Sequence, residues 1–182
     1  MCHALLQDPR FFQLLFQIDI DEAAKVQACR CPCGAVLHKA DYPRKPRGCP
    51  RELRLEFESR FSFCCSQCRK RTTAKSVRFL GRRVYLGLIV VLTSLRRTTL
   101  NSAARQLCDT LGVPERTIAR WRSWWFQLFP ATPLWQASCA RFMPPVEVIH
   151  LPASLIARFT GPPVQSMQHF LEFLKPLTVW SQ

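Results

Sequence analysis

Two short cysteine clusters, Ala28-Cys29-Arg30-Cys31-Pro32-Cys33-Gly34 and Phe63-Cys64-Cys65-Ser66-Gln67-Cys68, stand in the most basic part of this chain. Paired Cys turns of this kind are what a tetrahedral Zn²⁺ site needs. Each tight turn offers two thiolates, and the fold closes when the turns meet. Gly34 suits a knuckle, where the backbone turns sharply with its N–H groups directed at sulfur. Cys65 and Cys68 have the usual C-x-x-C spacing. Cys31 and Cys33 are one residue closer together, which leaves Cys29, Cys64 and the downstream His38 open as replacement ligands. The expected cofactor is one structural Zn²⁺, because four thiolates leave no open position for water.

The net charge of +14 is concentrated beside these clusters: residues 39–83 carry 14 Lys/Arg against 4 Asp/Glu. A basic region between near-neutral ones points to a polyanion footprint, since phosphates release counter-ions to such a surface. Ten cysteines also raise the alternative of a secreted disulfide scaffold. The start of the chain lacks the basic and long apolar regions of a signal peptide, and the apolar run Val84–Leu95 is too short to span a bilayer. The expectation is therefore a cytoplasmic, nucleoid-associated protein with no membrane partner. Cys2, Cys108 and Cys139 read as ordinary reduced cysteines, Cys108 buried in a helix.

Along the chain, Pro9–Gln17 is helical in pattern with Asp8 as its N-cap, and Asp21–Gln27 reads as a further turn or two of helix. Leu53–Glu58 and Arg60–Phe63 alternate apolar and polar residues and read as strands. Between the cysteine clusters, Tyr42–Arg51 holds three prolines and the cations Arg44, Lys45, Arg47 and Arg51 on an extended arm. Its Arg-Gly core partly resembles a minor-groove hook, with a mobile basic loop as the plainer reading. After the second cluster, Arg69, Lys70, Arg71, Lys75 and Arg78 alternate with hydroxyl residues, and both kinds bind phosphate oxygens.

Tyr85–Leu95 reads as a buried helix, followed by a basic turn at residues 96–99 and a helix over Asn101–Thr110. Leu111-Gly112-Val113-Pro114 then punctuates the chain before a cationic helix beginning at Glu115 and stopped by Pro130. This is helix-turn-helix grammar. It places Arg116, Thr117, Arg120 and Arg122 outward and Ile118, Trp121 and Trp125 inward. The Pro-rich remainder suits short helices at Leu134–Phe142, Ala153–Phe159 and Val164–Leu174. The stripe Met167, Phe170, Leu171 and Leu174 suits packing, the alternative being a docking or homodimer surface.

The fold class expected is mainly α with a small β zinc ribbon: an N-terminal helical segment (1–28), a zinc ribbon with basic arm (29–83), a helix-turn-helix (84–130) and a Pro-rich helical region (131–182). The run from the first cysteine cluster through Cys-Ser-Gln-Cys-Arg-Lys-Arg to LGVPERTIARW resembles the DNA-binding part of bacterial insertion-sequence transposases and their small accessory proteins, over roughly residues 29–129. The resemblance implies Cys31, Cys33, Cys65 and Cys68 as ligands. It also implies double-stranded DNA as partner, as a transposon end or promoter, beside a separate transposase or recombinase subunit.

Catalysis is not expected. No acidic residue stands in an apolar strand with a second acid placed for two metal ions, and no histidine is paired to a nucleophile. The densest acidic cluster, Asp19-Ile20-Asp21-Glu22, suits a helix N-terminus. Two other readings remain: an RNA-binding ribbon module, and an adaptor within a nucleoprotein complex.

Overall fold

The computed structural model describes residues 2–49, 51–80, 86–94, 109 and 112–179. It is mostly helical with a small antiparallel sheet. The chain divides into two compact units, Met1–Leu86 with Leu174–Gln182, and Gly87–Phe173.

The first unit opens with α1 (Cys2–Gln7) and α2 (Pro9–Ala28). Asp8 caps α2 as expected, its carboxylate accepting from the Arg10 N–H at 3.0 Å. The sequence suggested a break before residue 21, but α2 is one continuous helix. No Gly or Pro interrupts it, and Gln17 donates to Asp21 at 3.0 Å one turn on. Phe11, Phe12, Leu15, Asp19 and Ala23 form its buried side.

The sheet follows. Strands β1 (Leu37–Lys39), β4 (Ser62–Cys65) and β5 (Arg71–Thr73) pair antiparallel in the order β1-β4-β5. A separate two-stranded ladder joins β2 (Tyr42–Pro43) to β3 (Ser59–Arg60). The alternating run 53–58 is not a strand. A 3₁₀ turn, Arg51–Leu53, leads into α3 (Arg54–Phe57). The helical winding brings Leu53 and Phe57, four apart, to the interior, and leaves Leu55 84% exposed.

Asp19 also departs from expectation. It lies inside α2, not at a helix N-terminus, and is fully buried against Arg78. Arg78 Nε donates to Asp19 Oδ2 at 2.8 Å, the Val77 N–H donates to Oδ1 at 2.8 Å, and the Ser76 hydroxyl donates to the same carboxylate. The Arg78 guanidinium sits 4.8–5.1 Å from the ring centres of Phe16, Phe57, Phe61 and Phe79. Burial lowers its pKa, while the Asp19 charge and hydrogen bond oppose that shift. A desolvated cation over aromatic faces gains about 2 kcal/mol or more. Arg78 and Ser76 are therefore core residues, and the phosphate-binding role that sequence gave this stretch does not extend to them.

The chain returns to this unit after residue 173. Lys175 pairs with Glu22 at 3.1 Å, Arg60 Nη2 donates to the Thr178 carbonyl at 3.4 Å, and the Ser76 N–H donates to Thr178 Oγ1 at 3.0 Å.

In the second unit, α4 (Gly87–Ser94) buries Leu88 through Leu92, as its all-round apolar sequence requires. The basic turn at 96–99, Cys108 and all but Asp109 of the expected helix 101–110 lie outside the described residues. Gly112 adopts φ +60°, the left-handed position expected past a helix end, and donates to the Asp109 carbonyl at 3.2 Å. Helix α5 (Glu115–Ser123) follows. It widens into a π-type segment over Trp124–Leu128 and tightens into a 3₁₀ turn at Phe129–Ala131, which takes up Pro130. Short helices α6 (Pro133–Ser138) and α7 (Ala153–Ile156) and the longer α8 (Pro163–Leu174) complete the region, close to the expected spans.

The core of this unit is aromatic. Trp125 meets Phe129 at 4.7 Å between ring centres, Phe129 meets Trp135 at 5.3 Å, and Phe159 meets Phe170 at 5.4 Å. Met167, Phe170, Leu171 and Leu174 are all buried, so this stripe is packing. No helix among the described residues is long and apolar enough to cross a membrane.

Candidate metal centre and basic surface

The sulfur atoms of Cys31, Cys33, Cys65 and Cys68 all lie within 4.8 Å of one another. Cys31 Sγ is 3.5 Å from Cys68 Sγ, and Cys33 Sγ is 3.4 Å from Cys65 Sγ. A tetrahedral ion held by thiolates at about 2.3 Å has sulfur-to-sulfur edges of about 3.8 Å. The cluster's sulfur separations bracket that edge, so the four cysteines are compatible with a metal ion.

Local backbone geometry explains the arrangement. In the first turn the Gly34 N–H donates to the Cys31 carbonyl at 2.8 Å, and the Cys31 N–H donates to Ala35 at 3.0 Å. Gly34 takes φ +85°. In the second turn the Cys68 N–H donates to Cys65 Sγ at 3.4 Å, the kind of bond that stabilises a thiolate. The chain leaves that turn through Arg69 at φ +59°. The β1–β4 ladder sets Leu37 opposite Cys65, and the Ser66 N–H donates to the Val36 carbonyl at 3.1 Å, tying the turns together. Below them Ala23, Leu37, Phe63 and Ala74 form a dry floor with Cys31 and Cys65, and Val26 of α2 packs against it.

The tight Cys-Pro-Cys turn at Cys31–Cys33 brings both of its sulfurs into the cluster despite its short spacing. The alternative ligands fall away. Cys29, the C-cap of α2, is not part of the cluster. Cys64 alternates to the other face of β4 from Cys65, 3.5 Å from the Arg69 carbonyl, and His38 is its ladder partner.

The thiols share protons unevenly. Burial raises Cys65, but the N–H groups of Cys68 and Gln67 and the neighbouring sulfurs outweigh it and bring it down to about 6. The Cys33 N–H lowers Cys31, but burial and the sulfurs of Cys33, Cys68 and Cys65 outweigh that and push it up to about 12.

No family model, curated protein or solved structure matches this chain.

The cations singled out in sequence occupy different surroundings. Lys45, Arg47, Arg51, Arg69, Lys70, Arg71 and Lys75 are exposed, and Arg44 is half-buried. Arg71 is nonetheless fixed. Its Nη1 donates to the Ala40 carbonyl and to Ser62 Oγ at 3.1 Å. Its guanidinium lies 5.6 Å from the Tyr42 ring centre, and that of Arg44 lies 4.7 Å from it. On α5, Arg116 and Arg120 are exposed, while Ile118, Trp121 and Trp125 are buried as expected. Thr117 corrects the sequence reading: it is buried, because it stands four residues before Trp121 on the inward stripe. Its hydroxyl accepts from Arg120 Nη2 at 3.3 Å.

Sequence reasoning missed Lys25 and Arg30, which line the same open cleft as Arg44, Arg71 and Lys75. Their closeness to the first cysteine turn was the available signal.

Proposed function

We propose that this chain is a zinc-stabilised protein that binds double-stranded DNA with sequence preference. The carrying observation is the run of exposed cations Arg69, Lys70, Arg71 and Lys75 that follows the second cysteine turn, with Lys45, Arg47 and Arg51 exposed on the arm between the two turns. Four thiolates at tetrahedral spacing favour zinc, in a ribbon of which β1, β4 and β5 form the sheet. Its role is structural: it joins two turns that present cations and takes no part in chemistry. With the resemblance of residues 29–129 added, the fitting context is a bacterial mobile element. The protein would bring a separate transposase or recombinase subunit to DNA, or regulate transcription.

Binding to duplex DNA is expected to weaken steeply with salt. With about six phosphates neutralised, the log–log slope of affinity against salt is about −5. Fluorescence anisotropy on a labelled duplex measures it, and a flat response rejects the reading.

Within this reading α5 is the recognition helix, following Gly112 at its turn. Arg116 and Arg120, one turn apart and exposed, suit bidentate contact with guanine in the major groove. Arg116→Ala or Arg120→Ala is expected to lose about 1–3 kcal/mol of discrimination between specific and scrambled duplexes. Lys45→Ala or Arg47→Ala is expected to weaken all sequences alike and flatten the salt slope by about one unit. The opposite pattern would reverse the roles of helix and arm.

A further inference from the structure

The end of α2, the first cysteine turn, β2, β5 and the returning segment around Thr178 enclose an open cleft of about 770 Å³. Five cations line it and one carboxylate, Glu22. Glu22 is already engaged by Lys25 at 3.0 Å and Lys175 at 3.1 Å. Among the described residues no carboxylate pairs with Arg30, Arg44, Arg71 or Lys75. Arg44 Nε is buried there without a hydrogen-bond partner. The Thr72 and Thr73 side chains of β5 add hydroxyl lining, and Tyr42 supplies an aromatic ring close to two guanidinium groups.

Held cations without counter-charges select an anion, and planar groups beside them select a flat ligand. Phosphates and bases combine both properties. A duplex keeps its bases stacked inside and offers a concave site only its backbone, whereas an unpaired strand can lay a base on a ring or a guanidinium plane. We infer that this cleft binds an unpaired nucleic-acid strand, with phosphates on Arg30, Arg44, Arg71 and Lys75 and a base against Tyr42 and its flanking arginines. The inference rests on the nucleic-acid reading above and adds a second mode to it: strand capture in the cleft, apart from duplex binding through α5 and the arm. Such a mode suits a frayed or nicked DNA end.

The test uses the full chain with its metal. Anisotropy is measured with oligothymidylate and oligouridylate of about 12 nucleotides, with a duplex, and with inorganic polyphosphate as competitor. Tyr42→Leu and Tyr42→Phe are compared, each checked for metal content and circular dichroism. The ratio of strand to duplex affinity is expected to fall about tenfold in Tyr42→Leu and to return in Tyr42→Phe, with polyphosphate a poor competitor. The two oligomers separate a DNA strand from an RNA strand. Equal loss on strand and duplex in Tyr42→Leu, or polyphosphate competing as well as the oligomers, overturns the inference. Duplex binding without strand binding removes the cleft proposal and leaves the proposed function, whereas loss of both in the wild-type chain removes both.

Discussion

Stripping metal with a strong chelator is expected to unfold the sheet of the first unit, with loss of its circular dichroism and return on adding zinc. Metal binding in small thiolate domains contributes on the order of 10 kcal/mol to folding, more than this sheet can replace. Its strands are three or four residues long, and its floor includes two of the proposed ligands themselves. Elemental analysis is expected to give about one zinc per chain. Cys65→Ser or Cys68→Ser should reproduce the loss, whereas Cys29→Ser should cost within about 0.5 kcal/mol, as surface changes do, and Cys64→Ser should cost less than either ligand change. A fully folded, metal-free chain, or equal losses across the four variants, would sink the ligand assignment.

Asp19→Ala is expected to be the most damaging single change away from the cysteines. It would leave the Arg78 guanidinium charged and buried among four phenylalanines, with the Ser76 hydroxyl and the Val77 N–H deprived of their acceptor. Removing one partner of a buried ion pair costs about 3–5 kcal/mol, a large share of a domain's total of about 5–15 kcal/mol. The double change Asp19→Leu with Arg78→Leu should recover much of that loss, since no charge is then left unpaired. Urea unfolding of the zinc-loaded protein decides between these outcomes. A loss below about 1 kcal/mol for Asp19→Ala would show that water or another group reaches Arg78.

The four-cysteine cluster was largely legible in sequence because cysteine turns are local: spacing and Gly34 specify them without long-range information. The same holds for Gly112, the Asp8 cap and the inward stripe of α5. What escaped was decided by partners far away in the chain. Asp19 follows Leu15 on an apolar helix face, and a carboxylate there was the visible anomaly. Its meaning depended on Arg78, which composition alone assigned to a phosphate-binding strip. Leu53–Glu58 has period-two alternation, yet its burial is four apart, because the segment winds as a 3₁₀ turn and a helix that put Leu53 and Phe57 on one side. Thr117 was read by polarity, and its place on the Trp121 stripe, with an arginine to satisfy its hydroxyl, overrode that.

The return of residues 174–179 to the first unit fixes an order of events on the ribosome. The four cysteines are all made once Cys68 has been added, long before Thr178. Through all that synthesis the Ser76 N–H and the Arg60 guanidinium await partners that the chain has not yet produced. Closure of the first unit therefore waits on residues made long after its four clustered cysteines. The intervening unit is held in the chain like an inserted cassette, synthesised in full before the segment that seals the unit around it.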